Sequence, residues 1–212
     1  MPRDGTATRE RILDAAQRLV IDRGFAATSI DAVLDAAATS KGAFFNHFPS
    51  KDALASALVE RYAASDIEFL TDALAHAATA GATPRERALA FLQFFEDAAD
   101  ELVTETVGCL YTSVLADLEL IGPATQGAVE YAIDSYRREY AALLRDAMPQ
   151  RSDIDIEDLS DHVWVTFEGA YLLARATNDP SHLRRQLKVL RKLISAQLTP
   201  RADQKTAVSA AR

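Results

Sequence analysis

The chain of 212 residues is 49% hydrophobic and 25% charged, which is ordinary for a globular protein with a buried core. No apolar run approaches the roughly 18 residues that cross a bilayer and the N-terminus lacks the apolar core of a signal peptide, so we expect a cytoplasmic protein with no membrane partner. Cys109 is the single cysteine, which excludes a disulfide framework and a thiol metal cluster.

The net charge of −8 is unevenly distributed along the chain. Up to Lys51 there are seven basic and six acidic residues, so the negative charge belongs to the remainder. Binding to phosphate depends largely on Lys and Arg. A near-neutral N-terminal segment would therefore bind nucleic acid through a few well-placed groups rather than through a broad basic patch.

The predicted elements are all helical. Gly and Pro are scarce, at 8 and 7 residues, and no stretch shows the sustained period-two alternation of a strand. Apolar residues recur at helical spacing instead, which predicts an all-α fold of about nine helices. The predicted helices cover approximately residues 8–23, 28–37, 40–48, 50–81, 84–99, 110–118, 123–148, 155–177 and 180–198.

Capping residues predict where several of these helices begin and end. Gly24 is placed to end the first helix in a left-handed conformation. Thr28 is predicted to cap the second helix, with an acidic residue three positions later, and Thr39 or Ser40 to cap the third. Thr83-Pro84-Arg85-Glu86 is a strong helix start, because Thr is a good N-cap, Pro suits the first helical position and Glu stands at N3.

The second and third helices, braced by the first, have the pattern of a helix-turn-helix, which places a recognition helix in the major groove of DNA. The segment TSKGAFFNHFPSKDAL at 39–54 contains this pattern, and ILDAA at 12–16 and GF at 24–25 precede it. These motifs resemble the TetR family of bacterial transcription factors. The resemblance implies a helix-turn-helix DNA-binding domain at 1–54 and a helical effector-binding and dimerisation domain at 55–198. The residues after the last predicted helix, 199–212, are expected to form a flexible tail.

The resemblance also implies which residues contact a double-stranded DNA operator. Phe45 departs from the family, which usually has Tyr there, so a phosphate-bonding hydroxyl is replaced by a ring that can pack on sugar or a thymine methyl. Asn46 and His47 are the expected readers of bases or phosphate, and Lys51 is expected to bind a phosphate. The alternative is that these polar groups only solvate a helix surface. The full predicted set is Thr28, Ser29, Thr39, Ser40, Lys41, Gly42, Ala43, Phe45, Asn46, His47 and Lys51.

The last two helices are predicted to form a homodimer interface. Residues 152–179 contain seven acids and one Arg, whereas residues 181–212 contain eight bases and one Asp, so the two helices are charge-complementary. An apolar seam on the final helix is expected to join a four-helix bundle with a second copy. The alternative use of the basic helix is a second DNA surface. The seam consists of Leu183, Leu187, Leu190 and Ile194.

A small-molecule effector is expected to bind among aromatic and polar side chains of the larger domain, although each of them also fits an ordinary core. Cys109, in the tripeptide Gly108-Cys109-Leu110, matches a subgroup of the family and could sense an electrophile or oxidant, or simply be a small buried hydrophobic residue. The predicted effector-binding residues are Phe91, Phe95, Cys109, Tyr111, Trp164, Phe167, Glu168 and Tyr171.

These features predict a ligand-responsive transcriptional regulator, most simply a repressor that an effector releases from a palindromic operator. An enzyme is disfavoured because the sequence has no Gly-rich phosphate loop, no clustered metal ligands and only four scattered histidines. No cofactor and no metal are expected. The competing interpretation is a helical small-molecule-binding or scaffold protein with a weakened DNA-binding head.

Overall fold

The computed structural model describes residues 5–103, 109–115, 123–148 and 154–199, and this part of the chain consists of nine α-helices without a strand. The predicted all-α fold is therefore confirmed. The helices are α1 (Gly5–Arg23), α2 (Ile30–Ala36), α3 (Lys41–His47), α4 (Lys51–Ala80), α5 (Pro84–Leu102), α6 (Leu110–Leu115), α7 (Pro123–Ala147), α8 (Ile156–Thr177) and α9 (Ser181–Gln197).

Most predicted helix ends are confirmed by their caps. Gly24 follows α1 with φ 83°, a left-handed conformation that suits glycine. Ser40 and Ser50 each accept a hydrogen bond from the backbone N–H three residues later, at 3.2 and 3.0 Å. Thr83 and Glu86 form a reciprocal capping box at 2.9 and 3.2 Å, and the backbone N–H of Thr83 lowers the pKa of the Glu86 carboxyl.

The predicted cap of α2 is wrong by one residue. Ser29 is the N-cap, and its Oγ accepts from the backbone N–H of Ala32 at 3.1 Å. Thr28 is buried instead, and its hydroxyl donates to the carbonyl of Gly24 at 2.8 Å. Thr28 therefore closes the turn between α1 and α2 from inside, where a branched side chain adds to the core.

Gly81 allows the tight turn between α4 and α5. A Cβ atom at this position would lie 2.4 Å from the backbone nitrogen of Arg87, closer than real Cβ contacts occur. Because the obstructing atoms are backbone, they cannot rotate away. This turn therefore requires glycine on steric grounds.

The described residues form two compact units. Unit 1 contains those up to Glu68 and those of Val103–Ile133, and unit 2 contains those of Phe69–Leu102 and those from Asp134 onward. Both α4 and α7 contribute to each unit. The division within α4 falls after Glu68, fourteen residues beyond the predicted domain boundary at Leu54. Most of the tail predicted at 199–212, together with 104–108 and 116–122, lies outside the described residues.

Unit 1 has a core in which α1 packs against α2, α3 and α6. Ile12, Leu13 and Phe44 are fully buried there. At the edge of this core Arg61 of α4 reaches three side chains of α1, donating to Glu10 at 3.1 Å, Asp14 at 2.7 Å and Gln17 at 2.9 Å. These three acceptors recur at spacings of four and three, so they share one face of α1 and hold α4 in place.

Unit 2 has a core in which α9 packs against α5 and α8. Here the predicted dimer seam must be corrected, because Leu183, Leu187, Leu190 and Ile194 are at most 2% exposed within a single chain. These side chains are already covered by α5 and α8. The seam therefore forms the core of the subunit, and a second copy would have to use another face of α9.

The charge complementarity predicted between α8 and α9 is also realised differently. Arg184 and Arg191 of α9 pair with Asp100 and Glu96 of α5, at 2.7 and 2.8 Å. The acids of α8 pair with α7: Glu157 accepts from Arg145 at 2.6 Å, and Asp161 forms a bidentate pair with Arg137. Arg185 of α9 pairs with an acid of the preceding segment, Asp179, at 2.9 Å, whereas those four pairs join α9 to α5 and α8 to α7. Among the described helices, none is both long and apolar enough to span a bilayer.

Candidate functional site

Helix α3 has one buried face and one exposed face. Phe44 and Phe48 are 0% and 2% exposed and anchor the helix in unit 1. Lys41, Gly42 and Asn46 are exposed, together with Phe45, which is 42% exposed and meets the ring of Phe44 edge-on at 5.2 Å. The short helix therefore presents polar and aromatic groups on a rigid support.

Gly42 lies in the first turn of α3 without a neighbour. A Cβ atom built there would have nothing within 4 Å among the described residues. Glycine in a helix costs about 0.5–1 kcal/mol relative to alanine, so the packing of the chain does not explain its presence. A smooth backbone at this position suits the close approach of another molecule.

His47 is half-buried rather than fully available. Its ring lies 6.3 Å from that of Phe48, centroid to centroid, and a Cβ atom at Gly5 would lie 3.5 Å from its Cε1. The start of α1 therefore stands beside His47. Ala43 is half-buried on the same helix. Of the two predicted base readers, Asn46 is the more accessible.

Apart from Lys51, the remaining predicted contacts lie at the start of α2 and in the turn between α2 and α3. Ala38 has φ 48°, a left-handed conformation that is uncommon for a residue with a Cβ atom. Thr39 is half-buried, with its N–H bonded to the carbonyl of Leu34 at 3.1 Å, whereas Ser29 and Ser40 are exposed at helix starts. Thr28, by contrast, is only 3% exposed, so its side chain is withdrawn from any contact with DNA.

Lys51 has an internal role that the sequence did not predict. Its Nζ donates to the carbonyls of Phe25 at 2.8 Å and Ala26 at 3.3 Å, and it lies 4.5 Å from the centre of the Phe25 ring. These contacts fasten the first turn of α4 to the loop after α1. The predicted phosphate contact of Lys51 thus competes with a structural one.

We expect Lys51→Met to lower the free energy of unfolding by about 1–2 kcal/mol, because two carbonyls lose a charged donor while the apolar stem is kept. Urea titration followed by circular dichroism measures this change. Lys41→Met is the matched control, since Lys41 is exposed on α3, and its stability is expected to stay within about 0.5 kcal/mol of the wild type. Equal stability of the Lys51 variant would contradict the internal role.

Two features of unit 1 were missed at the sequence level. The Arg61 contacts could have been found from the spacing of Glu10, Asp14 and Gln17 along α1, which indicates one polar stripe. Ser56 of α4 and Thr125 of α7 share a hydrogen bond of 2.9 Å, and Thr125 is 1% exposed. This pair is distant in sequence and has no local pattern that would reveal it.

The predicted effector-binding residues fall into both units. In unit 2 Phe95 contacts Phe91 at 5.1 Å and Phe167 at 5.4 Å, centroid to centroid, and Trp164 meets Tyr136 at 6.1 Å. Glu168 and Tyr171 are half-buried on the same helix as Phe167. In unit 1 Tyr111 is buried edge-on against Tyr62 at 5.0 Å, and Cys109 is 7% exposed.

An exposed apolar face runs along α8 and α9, beside the buried seam. Most of its residues line a shallow groove of about 450 Å³ together with Gly169, where a Cβ atom would meet nothing within 4 Å among the described residues. Soluble monomers rarely expose several large apolar side chains together on one face. The exposed apolar residues are Val165 (61%), Leu172 (69%), Leu173 (42%), Val189 (48%) and Leu193 (56%).

Comparison with protein families gives matches to both parts of the chain. The family described as bacterial regulatory proteins, tetR family, matches residues 12–58, which include α2 and α3. The family described as tetracyclin repressor-like, C-terminal domain, matches residues 84–190.

Individual relatives agree with these matches. The transcriptional regulator AcuR of Cereibacter sphaeroides is 24% identical over 186 residues, covering 85% of this chain and 82% of AcuR. The HTH-type transcriptional repressor NemR of Escherichia coli K12 is 34% identical over 86 residues, covering 41% and 42% of the two chains. The structure of a TetR transcriptional regulator from Chloroflexus aurantiacus is 28% identical with a TM-score of 0.72, covering 92% and 98%.

Proposed function

This chain belongs to the TetR family of bacterial regulatory proteins, and we propose that it represses transcription by binding a near-palindromic operator as a homodimer. A small-molecule effector then releases it from the DNA. The observation that carries this proposal is the surface of α3, where Lys41, Gly42, Phe45 and Asn46 are exposed on a helix anchored by Phe44. Such a helix can enter a major groove and read base edges.

Dimerisation is supported by the exposed apolar face of α8 and α9. One helix-turn-helix reads only a few base pairs, so two copies related by a two-fold axis are needed for a specific site. In an isologous interface Val165 and Leu172 of each subunit would be covered by the same face of its partner. Gly169, with no side chain, would allow two helices to approach closely at the centre of this face.

Release by an effector is supported by the aromatic residues of unit 2 and by the extent of α4. Helix α4 runs without interruption from Lys51 to Ala80 and contributes to both units. An effector that binds better to one arrangement of the unit 2 helices would shift α4 and change the spacing of the two recognition helices. The operator would then lose its fit to the dimer.

A regulator of this kind acts on the chromosome, so we assign it to the cytoplasm and assign it no catalytic activity. Its relatives AcuR and NemR are named as transcriptional regulators. A scaffold protein with a weakened DNA-binding head is not favoured, because α3 keeps an exposed glycine, an amide and a lysine where a vestigial helix would have no need of them. Phe45 departs from the Tyr that is usual in the family, and its ring packs edge-on against that of Phe44.

We expect Gly42→Ala to make the protein more stable and a weaker DNA binder. The unfolding free energy should rise by about 0.5–1 kcal/mol, as is usual when alanine replaces a helical glycine. Operator affinity should fall by roughly tenfold, because a methyl group would separate α3 from the DNA by enough to weaken its contacts. Urea titration and electrophoretic mobility shift measure the two quantities.

Gly127→Ala is the matched control. Gly127 is also exposed in a helix, and a Cβ atom there likewise meets nothing within 4 Å in the part of the chain that the structure describes. It should give the same gain in stability without a change in operator affinity. Unchanged operator affinity in the Gly42 variant would contradict the close approach of DNA to α3.

A further inference from the structure

The buried part of unit 2 contains an aromatic cluster, which we define as Phe69, Phe91, Phe95, Tyr136, Tyr140 and Phe167. Phe91 and Tyr140 stack at 4.9 Å with 20° between their planes, and Phe69 meets Phe95 at 5.4 Å. Phe91, Phe95 and Tyr140 are buried, whereas the other three are half-buried. The aromatic cluster therefore has an enclosed inner end and a more accessible outer side.

Tyr140 is one of the buried members of the cluster, and its hydroxyl has no hydrogen-bond partner among the described residues. Tyr140 is only 2% exposed, so water does not reach most of its surface from outside. A buried hydroxyl without a partner is costly, and native proteins rarely leave one so. A phenylalanine would fill nearly the same space without the cost of burying a hydroxyl. Packing alone therefore does not explain why this position has tyrosine.

Two other buried polar side chains of unit 2 form hydrogen bonds. Ser160, which is 3% exposed, donates to the carbonyl of Arg137 at 2.7 Å. Glu96, which is 7% exposed, accepts from Arg191 at 2.8 Å. The arrangement around Tyr140 is therefore unlike that of these neighbours in the same unit.

The surroundings of Tyr140 also restrict what could bind there. Burial raises the pKa of the Tyr140 hydroxyl, which keeps it neutral and able to donate throughout the physiological range. The side chains of the cluster contact one another through their rings, and the half-buried Arg191 neutralises the buried carboxylate of Glu96. A charged ligand would lose its hydration there without gaining a counter-charge.

We propose that the Tyr140 hydroxyl donates a hydrogen bond to the effector, and that the effector is an uncharged, planar, mostly apolar molecule with one acceptor, such as an aryl carbonyl compound. The aromatic ring of the effector would insert between the half-buried and the buried rings of the aromatic cluster, and its contacts would replace some of those between them. This inference rests on the proposed response to an effector, and it adds the chemical class of that effector. Phe69 belongs to α4, so the same ligand would contact the helix that leads to the DNA-binding head.

The test compares two probes of nearly equal shape, acetophenone and α-methylstyrene, which differ in that the first has a carbonyl oxygen and the second a methylene group. Equilibrium dialysis against the DNA-free protein measures their affinities. The wild type is expected to prefer acetophenone by about tenfold, the contribution of one buried hydrogen bond. Tyr140→Phe is expected to abolish the preference and to be at least as stable as the wild type.

Tyr131→Phe is the matched control, because Tyr131 lies on the same helix but is 61% exposed, and it should keep the preference. Equal affinity of the wild type for both probes would mean that the Tyr140 hydroxyl does not donate to the ligand, either because an internal water accepts its hydrogen bond or because it has no partner. This result would overturn the proposal. A preference that survives Tyr140→Phe, or no binding of either probe up to its solubility, would also overturn it. Operator binding is measured separately on the unliganded Tyr140 variant, so a failure of the repressor function would be distinguishable.

Discussion

Replacing Leu172 by Asp is expected to turn the proposed dimer into a folded monomer and to lower operator affinity by about a thousandfold or more. Leu172 is 69% exposed in the single chain, so the substitution removes no packing from the subunit. In an isologous dimer, however, each interface would bury two carboxylates without partners, at a cost of several kcal/mol. Since each 1.4 kcal/mol is about tenfold in affinity, association would fail at micromolar concentration.

Sedimentation velocity and mobility shift measure this effect on the same preparation. Tyr131→Asp is the control, because Tyr131 is similarly exposed, at 61%, but belongs to α7 and not to the apolar face of α8 and α9. The control should stay dimeric and bind the operator. A Leu172→Asp protein that sediments as a dimer would show that the apolar face of α8 and α9 is not the interface.

The two adjacent phenylalanines of α3 are expected to respond in opposite ways to alanine substitution. Phe44 is 0% exposed and touches both Phe45 and Phe48, so Phe44→Ala should cost about 3–5 kcal/mol of stability and abolish operator binding by unfolding the head. Phe45 is 42% exposed, so Phe45→Ala should change stability by less than about 1 kcal/mol. Its loss should still weaken operator binding by roughly tenfold.

Thermal unfolding and mobility shift with the two variants side by side provide the comparison. A large loss of stability in the Phe45 variant would mean that its ring is part of the core. Unchanged operator affinity in a stable Phe45 variant would mean that the ring does not touch DNA. Either result would require a different set of contacts on α3.

Local signals in the sequence were sufficient for most of the fold. The capping box at Thr83 and Glu86 and the left-handed Gly24 follow from backbone hydrogen-bonding rules that act within one turn. The N-cap residue of α2 was harder to predict from the sequence, because Thr28 and Ser29 are adjacent and both residue types are good N-caps. Only the packing of the α1–α2 turn, which buries Thr28, decides between them.

Side-chain partners were less predictable, since they depend on which helices become neighbours. Helix α9 has two apolar stripes, and apolar spacing alone favours the richer one, with Leu183 and Leu187, as a dimer seam. In the structure the richer stripe is buried in the core of the subunit. Val189 and Leu193, on the other stripe, remain exposed and available to a partner. The partner of Lys51 was equally hard to predict from the sequence. A lysine at a helix start can bind a phosphate as well as the nearby carbonyls of Phe25 and Ala26.

The candidate sites likewise include one part that a local motif predicts and one part that depends on contacts between distant segments. Helix α3 lies where the motif predicted a short helix, because the cap at Ser40 and the stop at Pro49 leave little freedom in its bounds. Tyr140 lies in the core of unit 2, as its place in the apolar pattern of α7 allows. Its hydroxyl without a partner among the described residues could not be foreseen, because the pattern of apolar spacing contains no information on hydrogen bonds between distant segments.

The most direct test of dimeric operator binding is selection of bound duplexes from a random-sequence DNA pool, followed by sedimentation of the complex with the selected site. We expect a near-palindrome whose half-sites are centred about 10 base pairs or a multiple apart, bound by an even number of chains. Absence of any enriched sequence, or a single half-site bound by one chain, would contradict the proposal that this protein is a dimeric operator-binding repressor.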